Sequence, residues 1–202
     1  MKLPVNEGGN RSYRKSARAK AESENHGAIL TAAFAEFAAN PFDRVTLTKI
    51  AGRSGVSVQT IIRRFRSKEG LLEEVARREG ARILAERAVP EGAGLSVALE
   101  SLLQHYERDG DTIVRFVAQE HRFEPIRQVV ERGRAIHRDW IERHCGDLLS
   151  GYEGAGRERM VHAATVATDL STWKLLRRDL GLEPAQVAAV MSDLLDGLSR
   201  RK

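Results

Sequence analysis

The chain has 202 residues and a mass of 22.5 kDa, with 42% hydrophobic and 30% charged residues. That is enough apolar material for a core and excludes a wholly disordered or collagen-like chain. Net charge is +5, unevenly spread: Met1–Leu72 carry 13 Lys+Arg against 6 Asp+Glu, and the remainder carries 20 against 22. A basic third beside a near-neutral remainder points to a polyanion as partner, although six of the thirteen basic residues lie in the first twenty and would also serve as a solubilising tail. No stretch reaches the ~18 uninterrupted apolar residues of a membrane span. No apolar run follows the N-terminal lysine, as a secretory signal would require. The single cysteine, Cys145, provides neither an internal disulfide nor a cysteine-cluster metal site. A soluble protein of a reducing cytoplasm is expected, with no membrane partner.

Residues 1–24 hold glycines, asparagines, serines and scattered Arg and Lys with no apolar stripe, and read as a flexible basic arm. Beyond them the chain reads as helical, because nothing alternates with period two for long enough to make a strand. A first helix is expected from about Gly27 to Ala39, with Ile29, Leu30, Ala33, Phe34 and Phe37 on one face and Asn40-Pro41 as its stop. Thr46 can cap a short second helix that Gly55 ends. Ser57 can cap a third with Ile61 and Phe65 four apart, and Ser67 a long fourth. The segment from Val89 to Gly94 reads as a hinge. Helices are expected near 95–109, 111–121 and 125–150, then near 157–179 and 184–199, with a loop at 151–156. The architecture is all-α: a three-helix head at 25–72 and a larger helical body at 73–202.

Two short helices joined by a glycine turn fit a helix-turn-helix. Leu47, Ile50, Ala51, Val56, Ile61 and Phe65 can close the corner. At 100° per residue, Gln59 and Arg63 then face outward, flanked by Thr60 and Ile62. Such a face suits the major groove of DNA, while a plain amphipathic helix pair would read the same way.

Residues 25–72 closely resemble the DNA-binding head of the tetracycline-repressor (TetR) family. The likeness is carried by Ile29-Leu30-x-Ala32-Ala33, Thr46, Ile50-Ala51, Gly55-Val56-Ser57 and Phe65-x-Ser67-Lys68-Glu69-x-Leu71-Leu72. The segment from Trp173 to Gly181 also looks familial, and an organisation of about nine helices matches over nearly the whole chain. The resemblance implies a third helix lying in the groove. Ser57 and Thr60 would then contact phosphate, Val58 and Gln59 would read bases, and Lys68 would grip phosphate at the start of the fourth helix. Thr46 and Thr48 would meet the DNA backbone. Ile62 and Arg64 stand where the family usually has Tyr and His, so Ile62 would offer only apolar contact while Arg63 and Arg64 supply charge. His26 stands where an Arg is common.

Enzyme motifs are absent. Gly52-Arg53-Ser54-Gly55 lacks the spacing of a nucleophile elbow, and Gly92-x-Gly94 is not a dinucleotide fingerprint. His137, His144 and Cys145 fall short of convergent metal ligands, so neither metal nor cofactor is expected. By resemblance, the middle helices hold an effector pocket, with His105, Tyr106, Phe116, His121, Phe123, His137 and Trp140 as candidates; each alone reads more often as core than as a ligand contact. Val187, Val190, Met191, Leu194 and Leu198 form an apolar stripe, and Ala167 and Ser171 a small-residue face beside Ala163 or Ala164. Packing within one chain would explain both, but the resemblance implies a homodimer through these helices. The expected function is a sequence-specific transcriptional regulator. It would be a ligand-responsive repressor, with double-stranded DNA, a second copy and a small-molecule effector as partners. A helical small-molecule-binding protein with little DNA affinity is the alternative.

Overall fold

The computed structural model describes residues 7–200, with side chains from Arg18 onward, and every regular element among them is helical. The chain divides into two compact units, Met1–Val75 and Ala76–Lys202.

In the first unit, helix α1 spans Glu7–Ala39. The arm expected at residues 1–24 is therefore helix from Glu7 onward, and Met1–Asn6 fall outside the described residues. This stretch has no apolar stripe, but its composition favours helix. Ala, Arg, Lys and Glu between residues 17 and 24 are strong helix formers. Arg18–Glu22 and Lys20–Glu24 also pair at i,i+4 (3.3 and 3.9 Å), each worth a few tenths of a kcal/mol at best. A turn of 3-10 helix at Phe42–Arg44 follows, then α2 at Leu47–Ser54 and α3 at Val58–Phe65. Helix α4 runs over Lys68–Glu86, and the division between the units falls within it.

Hydrogen bonds at the helix ends explain these boundaries. The Thr46 hydroxyl accepts from the Lys49 N–H (3.3 Å), the Ser57 hydroxyl from the Thr60 N–H (3.2 Å), and the Ser67 hydroxyl from the Gly70 N–H (3.1 Å). Each satisfies a donor that the helix start leaves free, typically about 1 kcal/mol. Gly55 closes α2 at φ +70°, a left-handed conformation that glycine adopts without a Cβ penalty. Ile29, Ala33, Phe37, Ile50, Ile61, Leu71 and Leu72 are buried and make the core of the head. Buried Glu36 is paired with Arg53 at 2.8 Å, which ties α1 to α2 and leaves no lone charge inside.

In the second unit, α5 covers Leu95–Val117 without interruption, where two helices broken near Gly110 were expected. Gly110 is a packing position. A Cβ there would stand 2.5 Å from the Trp173 ring, so the missing side chain lets the indole lie on the helix backbone. Helix α6 spans Glu124–His144 with Pro125 in its first turn, and Cys145 separates it from a short α7 at Gly146–Leu149. The long helix expected near 157–179 is divided instead. Helix α8 (Gly154–Thr168) ends at Asp169, whose carboxylate accepts from the Ser171 N–H (2.8 Å) and opens α9 (Leu170–Lys174). A π-helical turn at Leu175–Asp179 continues it, and α10 follows at Pro184–Ser199 behind a capping box of Glu183 and Gln186. The core gathers Leu102, Trp140, Ile141, Val161, Ala164, Trp173, Met191 and Leu195.

Candidate nucleic-acid interface and ligand cavity

Helix α3 buries Ile61 and Phe65 and turns Gln59, Ile62, Arg63 and Arg64 to solvent. This is the orientation that the spacing of the two apolar residues requires. Ile62 is 44% exposed, a large apolar side chain among polar ones on an outward face. Val58 and Thr60 are half-buried at the start of the helix. The Ser57 and Thr60 hydroxyls lie 2.9 Å apart, so one donates to the other and they form a local pair beside the exposed α3 N-terminus. Thr46 and Thr48 are exposed at the start of α2, as is Lys49, a further cation of the same face that the sequence reading did not single out.

Two cations and a histidine have duties within the protein. The Arg64 guanidinium donates to the Glu22 carbonyl of α1 at 3.2 Å. The Lys68 ammonium donates to the carbonyls of Phe42 (2.8 Å) and Val45 (3.2 Å) and sits 4.2 Å from the centre of the Phe42 ring. Lys68 thus fastens the 3-10 turn to the start of α4, with one N–H left for another acceptor. His26 is half-buried and stacks on Phe65 with ring centres 5.5 Å apart, while its Nε2 lies 3.5 Å from Glu74. The structure therefore gives His26 a place in the packing of α1 against α3. Arg66, at the tip between α3 and α4, adopts φ +69°, the only non-glycine residue with positive φ among those described. It is the corner of a tight turn in which the Ser67 N–H donates to the Phe65 carbonyl at 2.8 Å.

The second unit contains a cavity of about 570 Å³, within the range of small-ligand sites. It is bounded by the end of α4, the 88–93 loop and the last turns of α6, with Leu84, Arg87, Val89, Glu91, Ile136, Trp140, Arg143 and His144 among its walls. Of the residues expected to form a pocket, Trp140 alone lines this cavity. His105, Tyr106 and His137 belong to a buried polar cluster, and Phe116 is half-buried elsewhere on α5. His121 is exposed and Phe123 is the N-cap residue of α6. The cavity is made largely by a loop and by helix ends, which carry no aromatic pattern along the mid-chain helices.

Within the cluster, the Tyr106 hydroxyl donates to the Thr168 carbonyl (3.1 Å), and His137 Nε2 lies 3.1 Å from the Thr168 hydroxyl. Burial lowers the pKa of His105 to about 3 and of His137 to about 4, and the nearby Arg87 guanidinium adds to both shifts. Both imidazoles are therefore neutral at physiological pH. Burial pushes the Cys145 thiol up to about 11, which makes it an inert core residue. No group of three or more His, Cys, Asp or Glu suited to a metal occurs among the described residues.

The dimer candidates divide between inside and outside. Val187 and Met191 are buried in the core of their own unit beside Leu195, and Ala167 is buried as well. They cannot be the free face that was expected of them. On α10 the half-buried Val190 and Leu198 pack against the same core, and the large apolar side chain left exposed is Leu194, 46% exposed at the edge of the buried stripe. Ser171 is exposed on α9, and Val166 on α8 is 68% exposed.

Residues 29–75 match the sequence profile of bacterial regulatory proteins, tetR family. Most of the chain superposes on solved structures of regulators. One is a TetR-like transcriptional regulator from Rhodococcus sp. RHA1, 18% identical, with TM-score 0.62 over 88% of this chain and 97% of that one. Another is a protein of Pseudomonas aeruginosa PAO1 assigned as a transcriptional regulator, 17% identical, with TM-score 0.68 over 87% and 90%. A comparison with curated protein sequences gives no match. At such identities the structural likeness is one of fold. Together, a capped helix-turn-helix head and an all-α body are the architecture of TetR-like DNA-binding regulators. The head matches the TetR family over residues 29–75, and most of the chain has the TetR-like fold.

Proposed function

We propose that the protein is a ligand-responsive repressor that binds a near-palindromic operator as a homodimer. The observation that carries this reading is the outer face of α3, where Gln59, Ile62 and Arg63 stand exposed on a helix held by buried Ile61 and Phe65. Such a helix enters a major groove with its N-terminal residues toward base edges. Thr46, Thr48, Ser57, Thr60, Arg64 and the remaining N–H of Lys68 then meet phosphates, which set register without reading sequence. Val58 and Gln59 read bases. Two copies joined at exposed Leu194 of α10 and Val166 of α8 would place two such helices one helical turn apart.

The cavity gives the reading its ligand. An effector bound there would favour a head separation unsuited to the operator and so lower affinity for DNA. Selection of duplexes from a random pool tests the proposal. It should return a two-fold symmetric site, with binding that weakens steeply as salt rises. Recovery of no preferred sequence, with only weak, salt-labile retention of duplex, would favour a helical ligand-binding protein instead.

A further inference from the structure

The cavity carries a charge that the protein does not neutralise. Arg87, the residue after α4, is 8% exposed and forms part of the cavity wall. No carboxylate among the described residues is within ion-pair reach of it, and its Nε has no hydrogen-bond partner. Its guanidinium carbon sits 5.5 Å from the centre of the Tyr106 ring, and Tyr106 and the more distant Asp109 favour its charge without forming an ion pair with it. The neighbouring acids are committed elsewhere. Asp109 lies 2.9 Å from Arg82, 3.0 Å from Arg108 and 3.1 Å from His105 Nδ1, and Glu86 pairs with Arg82 and Arg108. Burial accordingly drives the Arg87 pKa downward. A guanidinium withdrawn from water without a counter-ion is costly, and proteins retain such groups where an anion completes them.

The rest of the wall sets the kind of anion. Leu84, Val89, Ile136 and the Trp140 ring present apolar surface, and the Trp140 N–H is a second buried donor without an acceptor. Arg143 is exposed at the wall, as is Glu91, so Arg87 is the one buried cation of the site among the described residues. A single planar fork matches a single carboxylate, whereas a phosphate dianion would call for further buried donors. Resting on the ligand-responsive reading above, we propose that the cavity binds a small organic acid. Its carboxylate is held by Arg87 and its apolar body lies against Leu84, Val89 and Ile136.

Calorimetry and thermal melting with octanoate and 4-phenylbutyrate, beside the uncharged octanamide and 4-phenylbutyramide, test this. The acids should bind the native protein at least about tenfold more tightly than the amides, as expected for a charge-assisted pair. Arg87→Met should abolish that preference, leave amide binding unchanged and raise the melting temperature of the free protein. Arg87→Lys should keep part of the preference. Equal binding of acid and amide, binding of neither, or a preference that survives in Arg87→Met would overturn the proposal. Operator retention by the same samples separates the two readings. Acid binding without duplex binding would sink the regulator and leave this site standing. Duplex binding without acid preference would do the reverse.

Discussion

On the proposed reading, sequence discrimination would turn on Gln59. Its amide offers one donor and one acceptor, the pattern that adenine presents at N6 and N7 in the major groove. Because it is exposed, its removal leaves the core of the head untouched. Gln59→Ala should relax an adenine preference at one symmetric pair of positions, at a cost of about 1–3 kcal/mol per half-site, without altering the melting temperature. A base-by-base affinity scan checks this, and uniform weakening across all sites would assign Gln59 to the backbone. Lys68 shows what the sequence hides at this scale. Its place after Ser67 was legible, but the use of its ammonium by two carbonyls of the 42–45 turn depends on residues more than twenty positions away. His26 is similar. Its partner Phe65 lies across the head, so its role in packing has no local signal.

Among the elements, those with chemical punctuation were readable in advance. Thr46, Ser57 and Ser67 announce the starts of α2, α3 and α4, and the spacing of Ile61 and Phe65 fixes which side of α3 faces out. Gly110 misled, since a glycine looks like a break until the indole packed on it is seen. Gly110→Ala would press a methyl group against Trp173. It should cost about 1–3 kcal/mol by overpacking and lower the melting temperature by several degrees, which calorimetry would register. On α10 the apolar stripe was legible, but not that nearly all of it packs within its own unit and leaves Leu194 outside. Charging Met191 would damage the core itself, so the proper probes are Leu194→Glu and Val166→Glu. Both should leave a folded protein and shift it from dimer to monomer in light scattering. A native protein that is already monomeric at micromolar concentration would overturn the proposed assembly.

For the whole molecule, the buried histidines couple stability to pH. Folded His105 and His137 have pKa values near 3 and 4, below the ordinary 6.5 or so of an unfolded histidine. Their stabilising effect is complete above about pH 6.5 and drains as the solution is acidified, because the unfolded chain takes up protons that the folded one refuses. Each histidine should contribute a loss of up to about 1.4 kcal/mol per pH unit between about pH 6.5 and 4. Denaturant midpoints across that window should fall, and His137→Gln should flatten the slope. An unchanged slope would mean that His137 is not kept neutral by its surroundings. This behaviour, like the unpaired charge of Arg87, arises where helices far apart in the chain converge. An arginine after a helix end ordinarily remains in water, and the string of residues from Leu84 to Pro90 gives no sign that this one does not.

The two tryptophans make the molecule its own spectrometer. Trp173 is sealed against Gly110, with its N–H donated to Glu107 at 2.8 Å, so its emission should be indifferent to what enters the cavity. Trp140 stands in the cavity wall, with its ring parallel to His137 and tilted toward His144. Occupancy would therefore be written into one fluorophore while the other holds the baseline, and replacing either indole by Phe would assign the two signals. No dye or tag is needed to watch this chain take up a small molecule.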